Sequence, residues 1–143
     1  MVGLTCLVLP SNLCKEMEND VRNHYPEEAC GILAGRKLAD TYLAQVVFPM
    51  ENILHSTRRF RIDPQQQLNC LHLIQSHTMD IVVIYHSHPH GDSTPSKTDQ
   101  AEHYDPQAVS LIWYPSPGRW EYRAYTIKSM GYQEIPIRIQ QAA

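Results

Sequence analysis

The stretch Ile81-Val82-Val83-Ile84-Tyr85-His86-Ser87-His88-Pro89 decides how this chain is read. Its β-branched run predicts a central strand over Asp80–His88, covered on both faces. Residues two apart on a strand point to the same side. His86 and His88 therefore converge at the strand's end, where both imidazoles can reach one ion without backbone strain. Neutral imidazole is also the commonest zinc ligand type. The pair alone decides nothing: a chain of this length with eight histidines contains His-x-His about 0.4 times by chance.

Working outward, the six residues after Pro89 lead to Ser96-Lys97-Thr98-Asp99. At this composition the combined His-x-His-Pro and Ser-x-x-Asp pattern should arise by chance roughly once in ten thousand chains. Two imidazoles and one carboxylate suit a catalytic zinc site, which takes three protein ligands and leaves a fourth position for water. His86, His88 and Asp99 are thus the candidate metal ligands. A general base is also needed, and Glu27 and Glu28 stand at the entrance to the predicted buried strand Ala29–Ala34. Side chains alternate along a strand, so only one of the two can face the metal.

The remaining elements follow from hydrophobic spacing and turn residues. Thr5–Leu9 reads as a first strand closed by Pro10. Ser11 or Asn12 is the expected cap of a helix reaching Asn23, with Leu13, Met17 and Val21 on one face. Gly35 is expected to turn the chain into a strand over Tyr42–Phe48 that stops at Pro49. Glu51–Arg59 is polar and irregular. Asp63-Pro64 is an N-cap followed by a first-turn proline, opening a helix that carries Leu68, Leu71 and Ile74 toward the core. Ser96 caps a short helix. Val109–Tyr114 and Trp120–Lys128 are strands joined by a turn over Pro115–Gly118, and a last strand ends near Ile137. The pattern is one mixed α/β sheet with two main helices.

Bulk properties narrow the function classes. The chain has 143 residues, 43% hydrophobic and 19% charged, which suits one compact domain and argues against disorder. A net charge of -3 provides no broad basic field for nucleic acid, and Arg58, Arg59 and Arg61 form a local patch at most. Cys6, Cys14, Cys30 and Cys70 form no C-x-x-C pair, so reduced, buried thiols are expected. No apolar run nears the ~20 residues of a membrane span, and the N-terminus lacks the features of a secretory signal. A cytoplasmic protein is expected. His24, His55, His72, His77 and His103 have no ligand spacing to recommend them, and His90, although nearer the pair, falls in a loop and is not expected to be a ligand.

These residues resemble the JAMM (MPN+) zinc metallopeptidases, whose signature is a distant Glu, then H-x-H-x(10)-D, with a Ser three positions before the Asp. Ten residues, Pro89 to Thr98, separate His88 from Asp99 here. The family's Glu precedes a Cys-Gly pair by two residues, which selects Glu28. The resemblance covers most of the chain. PEEACGILAG (Pro26–Gly35), Phe60–Pro64 and VVIYHSHP (Val82–Pro89) look like the short bacterial branch, with no departure at a signature position, which argues against an inactive scaffold.

The resemblance implies a single MPN domain over residues 1–143, with a mixed sheet flanked by helices and a cytidine-deaminase-like architecture. The chemistry of the deaminases is not indicated, because their H-x-E and P-C-x-x-C motifs are absent. One Zn2+ would be held by His86, His88 and Asp99, with Glu28 as general base and Ser96 as oxyanion donor. The implied substrate is a ubiquitin-like sulfur-carrier protein ending in Gly-Gly, from which C-terminal cysteine is released. Asn52, Ser56 and Arg58 lie in a loop that could line a groove for its tail, although ordinary surface polarity explains each. Two other classes stay open: a zinc hydrolase of cell-wall or phage-tail peptides, and a non-catalytic partner-binding domain. Oligomeric state is not legible.

Overall fold

The computed structural model describes residues 3–129 and 131–141. Strand β1 (Cys6–Pro10) runs directly into helix α1 (Ser11–His24), and the hairpin strands β2 (Cys30–Leu38) and β3 (Thr41–Met50) follow. Helix α2 (Pro64–Ser76), strand β4 (Asp80–Ser87) and the short helix α3 (Lys97–Glu102) come next. Strands β5 (Val109–Ser116), β6 (Arg119–Lys128), β7 (Gly131–Ile135) and β8 (Ile137–Gln140) complete the chain.

All eight strands form one sheet in the order β7-β6-β5-β4-β2-β3-β1-β8. Pairing is mixed, as expected: β4–β5, β1–β3 and β1–β8 are parallel and the other neighbours antiparallel. The last predicted strand is in fact two. β7 and β8 lie at opposite ends of the sheet yet only Pro136 separates them, so the sheet must curl until its two edges approach. The Leu7 amide donates to the Pro136 carbonyl at 3.0 Å, tying that corner to β1.

The central strand is where the sequence places it, with Val82 to Ser87 buried. Alternation divides its side chains between two cores. Tyr85 joins Leu13, Met17 and Val21 of α1 and Trp113 of β5 in the larger core. Ile84 joins Cys30, Ile32 and Ala34 of β2 and Cys70 and Ile74 of α2 in the smaller one. The α1 stripe is as expected. In α2 the buried pair is Cys70 and Ile74, one helical turn apart, while Leu68 is 47% exposed and Leu71 only half-buried. The helix is therefore rotated from the expected phase, because β-strand neighbours select the face that packs.

Several local expectations are corrected. Pro10 occupies the N-cap position of α1 and no side chain caps it, so neither Ser11 nor Asn12 has that role. Asp63 does cap α2, accepting from the Gln65 amide at 3.1 Å, with Pro64 in the first turn. Gly35 is not a turn. It sits within β2 beside a register shift, where a Cβ would lie 1.9 Å from the Leu43 carbonyl oxygen. The reversal comes at Ala39, with φ 48°. β3 continues through Pro49 because β1 pairs only with Thr41–Leu43, so the missing amide costs no ladder bond on that side. All four cysteines are unpaired; Cys30 and Cys70 are buried, Cys6 and Cys14 only partly. No helix among the described residues is long and apolar enough to cross a membrane.

Candidate metal centre

His86 is on the last turn of the β4 ladder, opposite Cys30 of β2 and Ile112 of β5, and His88 follows one residue beyond the strand. The two Nε2 atoms lie 3.0 Å apart. Asp99 Oδ2 is 3.1 Å from His86 Nε2 and 2.9 Å from His88 Nε2. Three donors thus form a nearly equilateral triangle, and all three residues are buried. Tetrahedral zinc with ligands at about 2.0–2.2 Å separates those ligands by about 3.3 Å, so the cluster has the spacing and the donor types such an ion needs.

Each ligand is oriented by a local device. The Asp92 carbonyl lies 2.7 Å from His88 Nδ1. A carbonyl only accepts, so in the neutral ring the proton sits on Nδ1 and the Nε2 lone pair faces the cluster. His86 stacks on Phe60 with centroids 4.6 Å apart. Burial lowers its pKa against the pull of Asp99, which favours the neutral form that coordinates metal. Asp99 is the third residue of α3 and completes a capping box: its amide donates to Ser96 Oγ, and the Ser96 amide donates to Asp99 Oδ2, both at 2.9 Å. Burial alone would raise the Asp99 pKa, but both histidines and the Ser96 amide outweigh it and hold the carboxyl well below the usual range.

Glu28 continues the even-numbered phase of β2 and so lies on the histidine side. Glu27 takes the other direction, its Oε1 3.1 Å from His55 Nδ1. Glu28 is 2% exposed, and its Oε1 has no hydrogen-bond partner among the described residues. Burial pushes its pKa up to about 8, with His88 lowering it and Asp99 raising it. A carboxyl so placed can hold or release a proton near neutral pH.

The backbone around Glu28 is pinned from two sides. Ser87, between the two histidines, accepts from the Ala29 amide at 2.8 Å, and the Ser87 amide donates to the Ala29 carbonyl at 3.1 Å. Asn52 donates to the Glu28 and Arg59 carbonyls and accepts from the Leu54 and Arg61 amides. It is 3% exposed, a buried organiser of the 51–61 loop rather than a groove residue. Ser56 similarly serves the loop, its hydroxyl accepting from the Arg58 and Arg59 amides and its carbonyl from the Glu28 amide. Of the three expected groove residues, only Arg58 borders the site. Nothing local marked Ser87, or marked Asn52 as a buried organiser rather than a groove residue, since an isolated Asn in a polar loop and a Ser between ligands are ordinary.

Two cavities flank the triad. One of about 380 Å³ touches His86 and Asp99 and is walled by Phe60, Ile62, Ile84 and Tyr104, among others. His103 reaches it too, although its Nε2 lies 3.0 Å from the Ala108 carbonyl. A smaller cleft of about 150 Å³ touches Glu28, Arg58, His88 and Ser96. His90 stands on its rim, outside the donor triangle.

The chain is similar to known proteins over most of its length. The family described as prokaryotic homologs of the JAB domain matches residues 10–128. A CysO-cysteine peptidase of Mycobacterium tuberculosis is 33% identical over 134 residues, 93% of this chain and 90% of that protein. A desampylase of Haloferax volcanii is 37% identical over 116 residues, 80% of each. The solution structure of a protein from Desulfitobacterium hafniense superposes with a TM-score of 0.87 at 28% identity, covering 95% of this chain and 94% of that one.

Proposed function

Because the chain belongs to the family of prokaryotic homologs of the JAB domain and is similar to a CysO-cysteine peptidase and a desampylase, we propose that it is a zinc-dependent peptidase acting on a ubiquitin-like sulfur-carrier protein. The bond cut is the amide at the carrier's C-terminal tail, and the released group is cysteine. The observation that carries this reading is the convergence of His86, His88 and Asp99 beside the buried Glu28 carboxyl. The choice of a carrier–cysteine adduct is supported by the M. tuberculosis relative, which aligns over nearly the whole chain. In this reading residues 1–143 act as one domain in the cytoplasm, where four thiols stay reduced.

His86, His88 and Asp99 are the metal ligands. A zinc ion held there would polarise the scissile carbonyl and bring the pKa of a water toward about 7. Glu28 accepts the proton of the attacking water and passes it to the departing nitrogen. Burial raises the Glu28 pKa and a bound zinc would lower it again, which brings the carboxyl into the range where it can accept and then return a proton. Ser96 Oγ accepts the Asp99 amide, and its own hydrogen is available to the oxyanion that develops on the carbonyl. Capping and oxyanion stabilisation are compatible because one hydroxyl accepts and donates.

The test is incubation of purified, metal-analysed protein with a carrier–cysteine adduct, read by intact mass. Loss of one cysteine residue, abolished by a chelator and restored by zinc, is the expected result. A zinc-loaded protein that cleaves no carrier adduct would overturn the substrate assignment. Failure to bind zinc at all would overturn the metal assignment as well.

A further inference from the structure

The two cavities beside the triad are not equivalent, and the position of Glu28 separates their roles. The group that protonates the departing nitrogen must lie within hydrogen-bond reach of it. The smaller cleft, which Glu28 lines, is therefore the leaving-group side, and the larger cavity is left to the carrier tail. At about 150 Å³ the smaller cleft is below the ~300–1,000 Å³ of sites for drug-sized ligands, and matches a single amino acid.

Its charge is more specific than its size. Arg58 lines the cleft, with its backbone held by the Ser56 hydroxyl at 3.0 Å. Among the described residues no carboxylate lies within ion-pair distance of Arg58, whereas the adjacent Arg59 is paired with Glu102 across the larger cavity. The other acid bordering the cleft, Asp92, has its Oδ1 engaged by the Thr94 amide and hydroxyl at 3.1 and 3.0 Å. Arg58, whose guanidinium has no ion-pair partner among the described residues, thus lines the same cleft as the proton-transfer carboxyl. Its planar fork matches a carboxylate bidentately, and an isopeptide-linked lysine side chain offers no such group.

We infer that Arg58 is a specificity-determining residue that binds the free α-carboxylate of the departing amino acid, so that the enzyme removes a C-terminal residue rather than cutting an isopeptide bond. This rests on the peptidase reading above. In the reaction one water is added across the C–N bond. Its oxygen stays on the carbonyl carbon; one of its protons passes through Glu28 to the nitrogen, which leaves as the amine of the free amino acid, and the other is lost from the new carboxyl group to that amine, leaving a carrier carboxylate and an ammonium.

The experiment compares two adducts of one carrier, ending in cysteine and in cysteinamide, with zinc-loaded protein. The wild type should prefer the free acid by roughly tenfold to a hundredfold in kcat/KM, as expected for a charge-assisted bidentate contact. Arg58→Ala should collapse that ratio toward one, and Arg58→Lys should keep part of it; thermal unfolding of each variant checks that it is folded. Equal cleavage of both adducts by the wild type, or an unchanged ratio in a folded Arg58→Ala, overturns the assignment to Arg58 while the peptidase reading stands. Cleavage of neither adduct overturns both.

Discussion

Asp20, on the α1 face of the sheet, and Glu28, on the face that carries the histidines, are both buried acids whose pKa burial raises. Their surroundings differ. Asp20 Oδ2 accepts from the Tyr85 hydroxyl at 2.7 Å, and its Oδ1 lies 3.1 Å from His24 Nδ1. Glu28 Oε1 has no partner among the described residues. One acid is satisfied and locks α1 to the central strand; the other is held ready at the edge of a cleft. Adjacent residues of β4, Tyr85 and His86, serve the two sides, because side chains alternate across a strand. A buried polar group is expected to be hydrogen-bonded, so a fold that leaves one without a partner points to chemistry at that place.

The comparison is broken most directly by neutralising each acid. Glu28→Gln should lower kcat by about 100- to 10,000-fold with zinc retained, the range for a general acid–base. Asp20→Asn should keep kcat within about threefold, since its partners are all structural. Steady-state kinetics with metal analysis of both variants decides it, and comparable losses would erase the distinction. Gly31→Ala attacks the α1 side through sterics. Its Cβ would lie 2.3 Å from the Tyr85 ring, so the ring that reaches Asp20 must shift, at a cost of about 1–3 kcal/mol read by denaturant unfolding. Ser87→Ala leaves the buried Ala29 amide without its acceptor. A loss of about 1–3 kcal/mol is expected, with a fall in kcat smaller than that of Glu28→Gln.

The smallest effect is the most diagnostic. In metal-free protein the Glu28 pKa of about 8 lies above its ordinary 4.5, so the folded state binds that proton more tightly than the unfolded chain. Its contribution to stability is fully present below pH 4.5 and is lost as pH rises through about 8. Glu28→Gln should remove this pH dependence, so wild type and variant should diverge across that window in thermal unfolding. Zinc should shrink the difference by favouring the carboxylate. Parallel curves without metal would mean that Glu28 is solvated.

What could be read before folding was whatever depends on short sequence distance. His86 and His88 share a face through strand alternation, Asp63 and Ser96 announce helix starts, and alternation lets only one of Glu27 and Glu28 face the metal, the family resemblance selecting Glu28. The Ser96–Asp99 spacing is local as well, because one helical turn is a capping box. Elements whose form depends on distant neighbours are not legible in this way. Gly35 looks like a turn residue but tolerates no Cβ because β3 passes against it. Leu68 looks like a core residue, yet the sheet takes Cys70 and Ile74 instead.

By itself, the sequence pointed to the class of this protein and to five candidate site residues, because donor chemistry, strand and helix periodicity and the family signature are all properties of short segments. Only the tertiary structure decided how those residues meet. It closed the sheet through Pro136, brought Asp99 within 3.1 Å of two imidazoles, left Glu28 Oε1 buried without a partner among the described residues, and set Arg58 on the same cleft as Glu28. Such features follow from which surfaces exclude water and which polar groups find partners across the fold. No local pattern encodes that accounting.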